Sequence, residues 1–272
     1  MTHTIQYQGH QIKYYSEGEG AILLFLHGWP TNHQLWQAQI AHFKARYRVI
    51  TLDWLGFGAS DKPTDFTYSF AHKKAILEAV VADFLPPGGT LNLVAHDIGG
   101  PAAILWASEN QAKLQRLVLL NTVIYPFSTP LDSISHKMFV VPGLKQLLMS
   151  EFGHRTLLRN LSQNRGEGLK QRIENVIQAH EDWSINLKVK TILQPLKTAK
   201  QNEFQRLARL FHTMEIERHL IIAKKDPLCY AHIYKLHQEN PMVPAHFVDK
   251  CGHFISLDQP DRLNEILDGI LG

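Results

Sequence analysis

Three ionisable residues follow apolar stretches of the chain, close to the points where predicted strands end. Asp97 follows residues 91–96, Asp226 follows residues 219–223, and His253 follows residues 245–248. A carboxylate, a second carboxylate and an imidazole are the groups that covalent catalysis uses as nucleophile, orienting acid and general base. Because an aspartate is already ionised at neutral pH, Asp97 needs no base before it attacks. Such a nucleophile suits displacement of a leaving group from saturated carbon.

Each of these residues also has a simpler interpretation. Asp97 stands before the pair Gly99-Gly100, where an aspartate is a common helix N-cap. Asp226 precedes Pro227, which suits a turn, and His253 could be a packed loop histidine. Their shared placement after predicted strands nevertheless favours one site, since open α/β sheets bind ligands beyond the carboxyl ends of their strands.

Short apolar runs predict the strands that would position these residues. A strand covered on both faces requires four to eight continuous apolar residues, so the runs indicate a mostly parallel sheet flanked by helices. The runs are residues 21–27, 47–52, 91–96, 114–120, 219–223 and 245–248. Residues 4–16 predict an antiparallel hairpin at the sheet edge. Helical periodicity at Ala75, Val80 and Phe84, and again at the C-terminus, completes an α/β fold.

The alternation of strands and helices stops between residues 120 and 219. This interval is too long for an ordinary crossover, and it carries two helical patterns. Their apolar residues are Leu169, Ile173, Val176 and Ile177 in one and Phe204, Leu207, Leu210 and Phe211 in the other. We therefore predict a core domain of residues 1–124 and 215–272, with a helical cap at residues 125–214 inserted into it.

Composition narrows the classes of function. The net charge of +3 is spread along the chain, which argues against a nucleic-acid partner. No apolar run of membrane-spanning length and no signal-peptide pattern occur, so we expect a cytoplasmic protein without a membrane partner. The cysteines, Cys229 and Cys251, exclude a disulfide framework but leave a single bridge open. Sixteen histidines show no metal-site spacing, so neither a metal nor a cofactor is expected. The oligomeric state stays open.

These segments together resemble the α/β-hydrolase superfamily, in which nucleophile, acid and histidine follow in this order. The resemblance covers nearly the whole chain outside the predicted cap. It rests on His27-Gly28-Trp29-Pro30, on the loop at residues 53–63, on Ala95-His96-Asp97-Ile98-Gly99-Gly100 and on Gly252-His253-Phe254. An aspartate at the turn resembles the branch that contains epoxide hydrolases and haloalkane dehalogenases. Ala95 departs from the glycine that the family usually has there, and its small side chain keeps the turn possible.

The resemblance implies a reaction in two steps. Asp97 forms an ester with the substrate carbon, and His253, oriented by Asp226, activates the water that hydrolyses this ester. The backbone N–H groups of Trp29 and Ile98 are the donors implied for the oxyanion.

Two leaving groups, an epoxide oxygen and a halide, suit an aspartate nucleophile. Dehalogenases usually carry a halide-binding tryptophan directly after the nucleophile, where this chain has Ile98, and one major group has asparagine in place of Trp29 and a glutamate acid in place of Asn121. Epoxide hydrolases use two cap tyrosines, or a tyrosine and a histidine. The candidate donors in this cap are Tyr125, His136, His154, His180 and Trp183. The sequence therefore favours opening of an epoxide in a small apolar substrate with water. Haloalkane dehalogenation is the second hypothesis, and a ligand-binding protein without turnover is the third.

Overall fold

An eight-stranded sheet forms the centre of the computed structural model, which describes residues 1–125, 144–163, 168–180, 183–199 and 201–272. The strands are β1 (Thr2–Tyr7), β2 (His10–Glu17), β3 (Ala21–Leu26), β4 (Tyr47–Leu52), β5 (Leu91–Asp97), β6 (Leu114–Thr122), β7 (Glu217–Ala223) and β8 (Ala245–Val248). Their order in the sheet is β1-β2-β4-β3-β5-β6-β7-β8. Strand β2 pairs antiparallel with β1 and β4, and the pairs from β4 to β8 are parallel. The predicted α/β-hydrolase sheet and its edge hairpin are confirmed.

The continuous apolar runs arise because the central strands are covered on both faces. Successive residues of a strand point to opposite sides of the sheet. Leu23 and Leu24 on β3 accordingly belong to two different buried clusters, as do Leu93 and Val94 on β5. Every residue of β5 is buried. A strand in this position has no solvent-facing side on which a polar residue would be favoured.

Helices cover both faces of this sheet. In the described residues they are α1 (Gln37–Phe43), α2 (Phe70–Phe84), α3 (Gly99–Glu109), α4 (Leu144–Met149), α5 (Glu151–Leu161), α6 (Leu169–Gln178), α7 (Ile185–Thr198), α8 (Gln201–Thr213), α9 (Tyr230–Glu239), α10 (Ile255–Asp258) and α11 (Pro260–Leu271). Helices α2, α3 and α9 contribute to one buried cluster, and α1 and α11 contribute to the other. Within the described part of the chain, no helix is both long and apolar enough to cross a bilayer.

Helices α4 to α8 lie between β6 and β7, and we call their described residues the insertion. The apolar side of α6 joins the cluster that contains α1, and the apolar side of α8 joins the cluster that contains α2. Ser150 and Ser184 begin α5 and α7 by accepting hydrogen bonds from backbone N–H groups of the first turn. The insertion therefore shares its packing with the sheet domain. The exact limits of the predicted cap stay a prediction.

Candidate active site

Asp97 ends β5 in a sharp turn that leads directly into α3. Its φ is +51°, in the left-handed region that side chains rarely adopt. A Cβ atom at Gly28 would lie 2.5 Å from Oδ2 of Asp97, and one at Gly100 would collide with the side chain of Thr122. The Thr122 hydroxyl donates a hydrogen bond of 2.7 Å to the Asp97 carbonyl. The helix N-cap is Ile98, which makes no side-chain cap bond, so the N-cap interpretation of Asp97 is wrong.

Two backbone N–H groups hold the Asp97 carboxylate. Oδ2 accepts a hydrogen bond of 2.7 Å from the Trp29 N–H, and the Ile98 N–H also bonds the carboxylate. These are the two donors named from the sequence. Burial raises the pKa of Asp97 above its usual range, although His253 and the two N–H groups favour the ionised form. The same donors would stabilise negative charge that develops on Oδ2 during a reaction.

His253 completes the arrangement from the loop after β8. Its Nδ1–H donates to Oδ2 of Asp226 at 3.0 Å, which leaves the lone pair of Nε2 free on the other side of the ring. Nε2 lies 4.0 Å from Oδ1 of Asp97, and it is buried without a hydrogen-bond partner in the described part of the chain. Burial alone would lower the pKa of His253, but the carboxylates of Asp226 and Asp97 outweigh this effect and raise it. The structure thus brings the three predicted catalytic side chains together.

A second set of polar groups fixes the backbone of the His253 loop. Nε2–H of His96 and the side-chain amide of Asn121 both donate to the His253 carbonyl, at 2.9 Å and 3.0 Å. Oδ1 of Asn121 accepts from the Ala223 N–H at 3.0 Å, so one amide joins the end of β7 to the histidine loop. Burial lowers the pKa of His96 to about 3, which keeps this imidazole neutral. The sequence analysis did not predict that the Asn121 side chain would make these two hydrogen bonds.

The candidate leaving-group donors lie in two different places. The Tyr125 hydroxyl donates to Glu239, which lies half-exposed on α9, so this hydroxyl is already occupied. His136 lies outside the described residues. Nε2–H of His154 donates to the Pro30 carbonyl at 2.7 Å. None of the described candidates makes a hydrogen bond with Asp97.

His180 and Trp183 keep N–H groups that are not used within the protein. Nδ1 of His180 accepts the Gly58 N–H at 3.1 Å, so the ring proton of the neutral imidazole is on Nε2. This Nε2 and Nε1 of Trp183 are buried without a partner among the described residues. Both rings border a cavity of about 370 Å³ in the insertion. The cavity is lined by Glu151, His154, Ile177, Gln178, His180, Trp183 and Lys188. Asp97 is not part of this lining.

Two further groups near Asp97 were not singled out by sequence reasoning. Sγ of Cys229 lies 3.9 Å from Oδ1 of Asp97, and burial raises the pKa of this thiol. Lys73 places its buried Nζ 4.6 Å and 4.7 Å from the ring centres of Trp54 and Phe57, and this Nζ has no hydrogen-bond partner among the described residues. Burial lowers the pKa of Lys73 to about 7 against the attraction of Asp97. A sequence signal existed for Lys73 alone, because it interrupts the apolar stripe of α2. Both cysteines are free, so the bridge left open by the sequence is absent.

Comparison with known proteins shows the family of this chain. A family model described as alpha/beta hydrolase fold matches residues 21–260. The chain belongs to the α/β-hydrolase fold family. An aspartate at the turn of this α/β-hydrolase is consistent with the branch named from the sequence. The fold likeness extends to the meta-cleavage product hydrolase of Pseudomonas fluorescens IP01, with a TM-score of 0.75, 19% identity and coverage of 97% of this chain and 95% of that one.

Curated relatives of this α/β-hydrolase act on two kinds of substrate by name. This chain is 30% identical to haloalkane dehalogenase 2 of Mycobacterium tuberculosis over 172 residues. The match covers 62% of this chain and 57% of that protein. This chain is 33% identical to a cis-3-alkyl-4-alkyloxetan-2-one decarboxylase of Xanthomonas campestris pv. campestris over 126 residues. That match covers 43% of this chain and 42% of the relative. The matches thus span about half of each relative's length.

Proposed function

We propose that this α/β-hydrolase opens an epoxide, or a similarly strained small electrophile, through a covalent ester of Asp97. The orientation of the Asp97 carboxylate carries the proposal. Oδ2 is held by the Trp29 N–H at 2.7 Å, while Oδ1 faces Nε2 of His253 at 4.0 Å. Oδ1 is thereby left to attack carbon, and Oδ2 lies where an N–H donor can stabilise negative charge.

In the first step Oδ1 attacks a ring carbon, the carbon–oxygen bond of the ring breaks, and the ring oxygen takes up a proton from solvent. In the second step a water attacks Cγ of the Asp97 ester while His253 removes its proton. A water at about 2.8 Å from both Nε2 and Oδ1 fits a separation of 4.0 Å. The oxyanion forms on Oδ2 against the Trp29 N–H, with the Ile98 N–H as the second proposed donor. Its collapse breaks the bond between Cγ and Oδ1 and releases a diol that takes the proton from His253. Asp97 is left as a carboxylic acid, which returns a proton to solvent and becomes a carboxylate again.

The available donors favour an epoxide over a halide. A departing halide needs N–H donors close to the nucleophile, and the Ile98 side chain has none. The indole N–H of Trp29 is used by the Lys188 carbonyl at 2.9 Å. The buried N–H groups of His180 and Trp183 have no partner among the described residues. We propose them as donors to the ring oxygen of a substrate that extends from Asp97 to the cavity that these two rings border. The insertion then acts as the cap of the site.

Haloalkane dehalogenation is the second candidate, because a relative with 30% identity over 172 residues carries that name. It would use the same Asp97 ester. Ligand binding without turnover is the third. A panel of epoxides, 1-haloalkanes and four-membered lactones separates these functions by the formation of diol, the release of halide and the loss of the lactone. Thermal stabilisation by a panel member without any product would support a binding protein.

The covalent step is tested by intact-protein mass spectrometry. We expect His253→Gln to accumulate the substrate mass on Asp97, because hydrolysis fails while attack continues, and Asp97→Asn to accumulate nothing. A single turnover of the unchanged enzyme in water labelled with oxygen-18 should place the label in Asp97. His246→Gln, on β8 and paired with His219, is the control for loss of a histidine. Turnover that survives Asp97→Asn would contradict the proposal.

A further inference from the structure

Three side chains of different chemistry converge on one point beside the nucleophile. A carboxylate oxygen of Asp97, the thiol of Cys229 and an imidazole nitrogen of His253 all lie within 4.8 Å of one another, and all three residues are buried. Sγ of Cys229 is 3.9 Å from Oδ1 of Asp97, and Nε2 of His253 is 4.0 Å from the same oxygen. Ligands at the bond lengths of tetrahedral zinc are about 3.3–3.7 Å apart. Shifts of up to about 1 Å would therefore bring these atoms into one coordination sphere.

The histidine is prepared for such a role by its other nitrogen. Nδ1–H of His253 donates to Asp226 at 3.0 Å, which is the carboxylate–imidazole pairing that orients histidine ligands in zinc proteins. Nε2 carries the lone pair, and it is buried and has no hydrogen-bond partner within the residues that the structure describes. No rotation of this ring is needed before it coordinates.

The donor set also restricts the kind of ion. One oxygen, one nitrogen and one sulfur suit borderline ions such as Zn²⁺, Co²⁺ and Cd²⁺, whereas Mg²⁺ and Ca²⁺ prefer oxygen ligands alone. Coordination releases the Cys229 proton to solvent, so thiolate and carboxylate together neutralise a divalent charge. This exchange offsets much of the cost of burying the ion.

We infer that Asp97, Cys229 and His253 form a site for Zn²⁺ or a similar borderline divalent ion, and that metal bound there shuts off the nucleophile. The inhibitory part rests on the proposed function, since the ion would occupy Oδ1 and Nε2. The binding part rests on the geometry alone.

Cobalt titration tests the binding part without any turnover. Co²⁺ bound to a thiolate gives an intense charge-transfer absorption, and we expect it for the unchanged protein and for Cys251→Ala, which removes the other buried cysteine. Cys229→Ala and Cys229→Ser should lose the absorption and bind Zn²⁺ more weakly, by more than the roughly 10–100-fold that loss of an outer-shell partner costs. The serine variant and circular dichroism guard against a failure to fold. Binding of Co²⁺ without the thiolate absorption, or an absorption that survives both Cys229 variants, would overturn the site.

Inhibition is measured separately once a substrate is known. We expect Zn²⁺ to inhibit the unchanged enzyme, EDTA to reverse the inhibition, and Cys229→Ser to require a higher Zn²⁺ concentration for the same effect. An enzyme that keeps its full rate while the cobalt absorption shows the site occupied would overturn the inhibitory part and leave the binding part standing.

Discussion

The Asp97 backbone stores strain at the point where the chemistry is proposed. A non-glycine residue in the left-handed region costs about 1–3 kcal/mol, and such residues persist only where their surroundings hold them. The Thr122 hydroxyl and the absence of a side chain at Gly28 supply that support. This backbone conformation orients the carboxylate so that Oδ2 accepts the Trp29 N–H and Oδ1 faces His253. Activity should therefore be more sensitive than folding to small changes around this turn.

Gly28→Ala tests this sensitivity. The added methyl group would lie 2.5 Å from Oδ2 of Asp97, so the carboxylate must move away from the Trp29 N–H. We expect kcat/KM for the identified substrate to fall by about 100-fold, the loss typical of a misplacement near 1 Å. Gly269→Ala on α11, where a Cβ meets nothing within 4 Å, is the control and should keep its rate. Equal rates for both variants would contradict the assigned geometry.

Lys73→Met tests the buried ammonium. Burial lowers the pKa of Lys73 to about 7, so from pH 7 to its ordinary value of 10.5 the unfolded chain holds a proton that the folded chain has released. Folding stability then rises with pH across this window by about 1.4 kcal/mol per unit from this group. We expect Lys73→Met to be more stable than the unchanged protein at pH 7, with the difference shrinking towards pH 10.

Urea unfolding between pH 6 and pH 10 measures this difference. Lys74→Met is the matched control, because Lys74 forms an ion pair with Glu109 near the surface. Its effect should stay below about 1 kcal/mol. A stability difference for Lys73→Met that does not change with pH would show that its ammonium is not responsible.

At the scale of elements, the carboxyl ends of neighbouring strands were predictable and the contacts between their loops were not. The mostly apolar runs in β3 to β7 follow from burial on both faces, so their positions can be read from the sequence. The order of Asp97, Asp226 and His253 then predicts one site at the same edge. The hydrogen bonds of the Asn121 side chain join residues more than a hundred positions apart, and no local sequence pattern encodes such bonds.

Two buried threonines on the sheet differ in the hydrogen bonding of their hydroxyl groups. The Thr122 hydroxyl on β6 donates to the Asp97 carbonyl, whereas the Thr51 hydroxyl on β4 is buried with no hydrogen-bond partner in the described ranges. We expect Thr122→Val to lower the free energy of unfolding by about 1 kcal/mol and to reduce activity. Thr51→Val should be neutral or stabilising, since it removes an unsatisfied polar group. Urea unfolding of both variants checks this, and equal losses would contradict it.

At the scale of the whole molecule, hydrogen bonds from the loop after β3 tie the sheet domain to the insertion. The Trp29 indole donates to Lys188 at 2.9 Å, His154 donates to Pro30 at 2.7 Å, and the Asn32 amide donates to Val176 at 2.7 Å. The same loop supplies the N–H that holds Asp97, so the position of the insertion and the shape of the proposed oxyanion site are coupled. We therefore expect a displacement of the insertion to change the position of the Asp97 carboxylate.

Two tryptophan-to-phenylalanine changes measure this coupling. Trp29→Phe removes the bond to Lys188 and keeps the backbone N–H that holds Asp97, whereas Trp183→Phe removes an N–H that has no partner among the described residues. The Lys188 carbonyl keeps the Thr191 hydroxyl as a donor, so loss of the indole bond in Trp29→Phe should lower the free energy of unfolding by about 0.5–1.5 kcal/mol. In hydrogen exchange, α7 should exchange faster in Trp29→Phe while β5 and β6 stay protected. Trp183→Phe should leave exchange in α7 unchanged and, as a proposed donor to the ring oxygen, lower the rate of epoxide opening. Faster exchange of α7 in both variants would mean that indole packing, not the hydrogen bond to Lys188, holds the insertion in place.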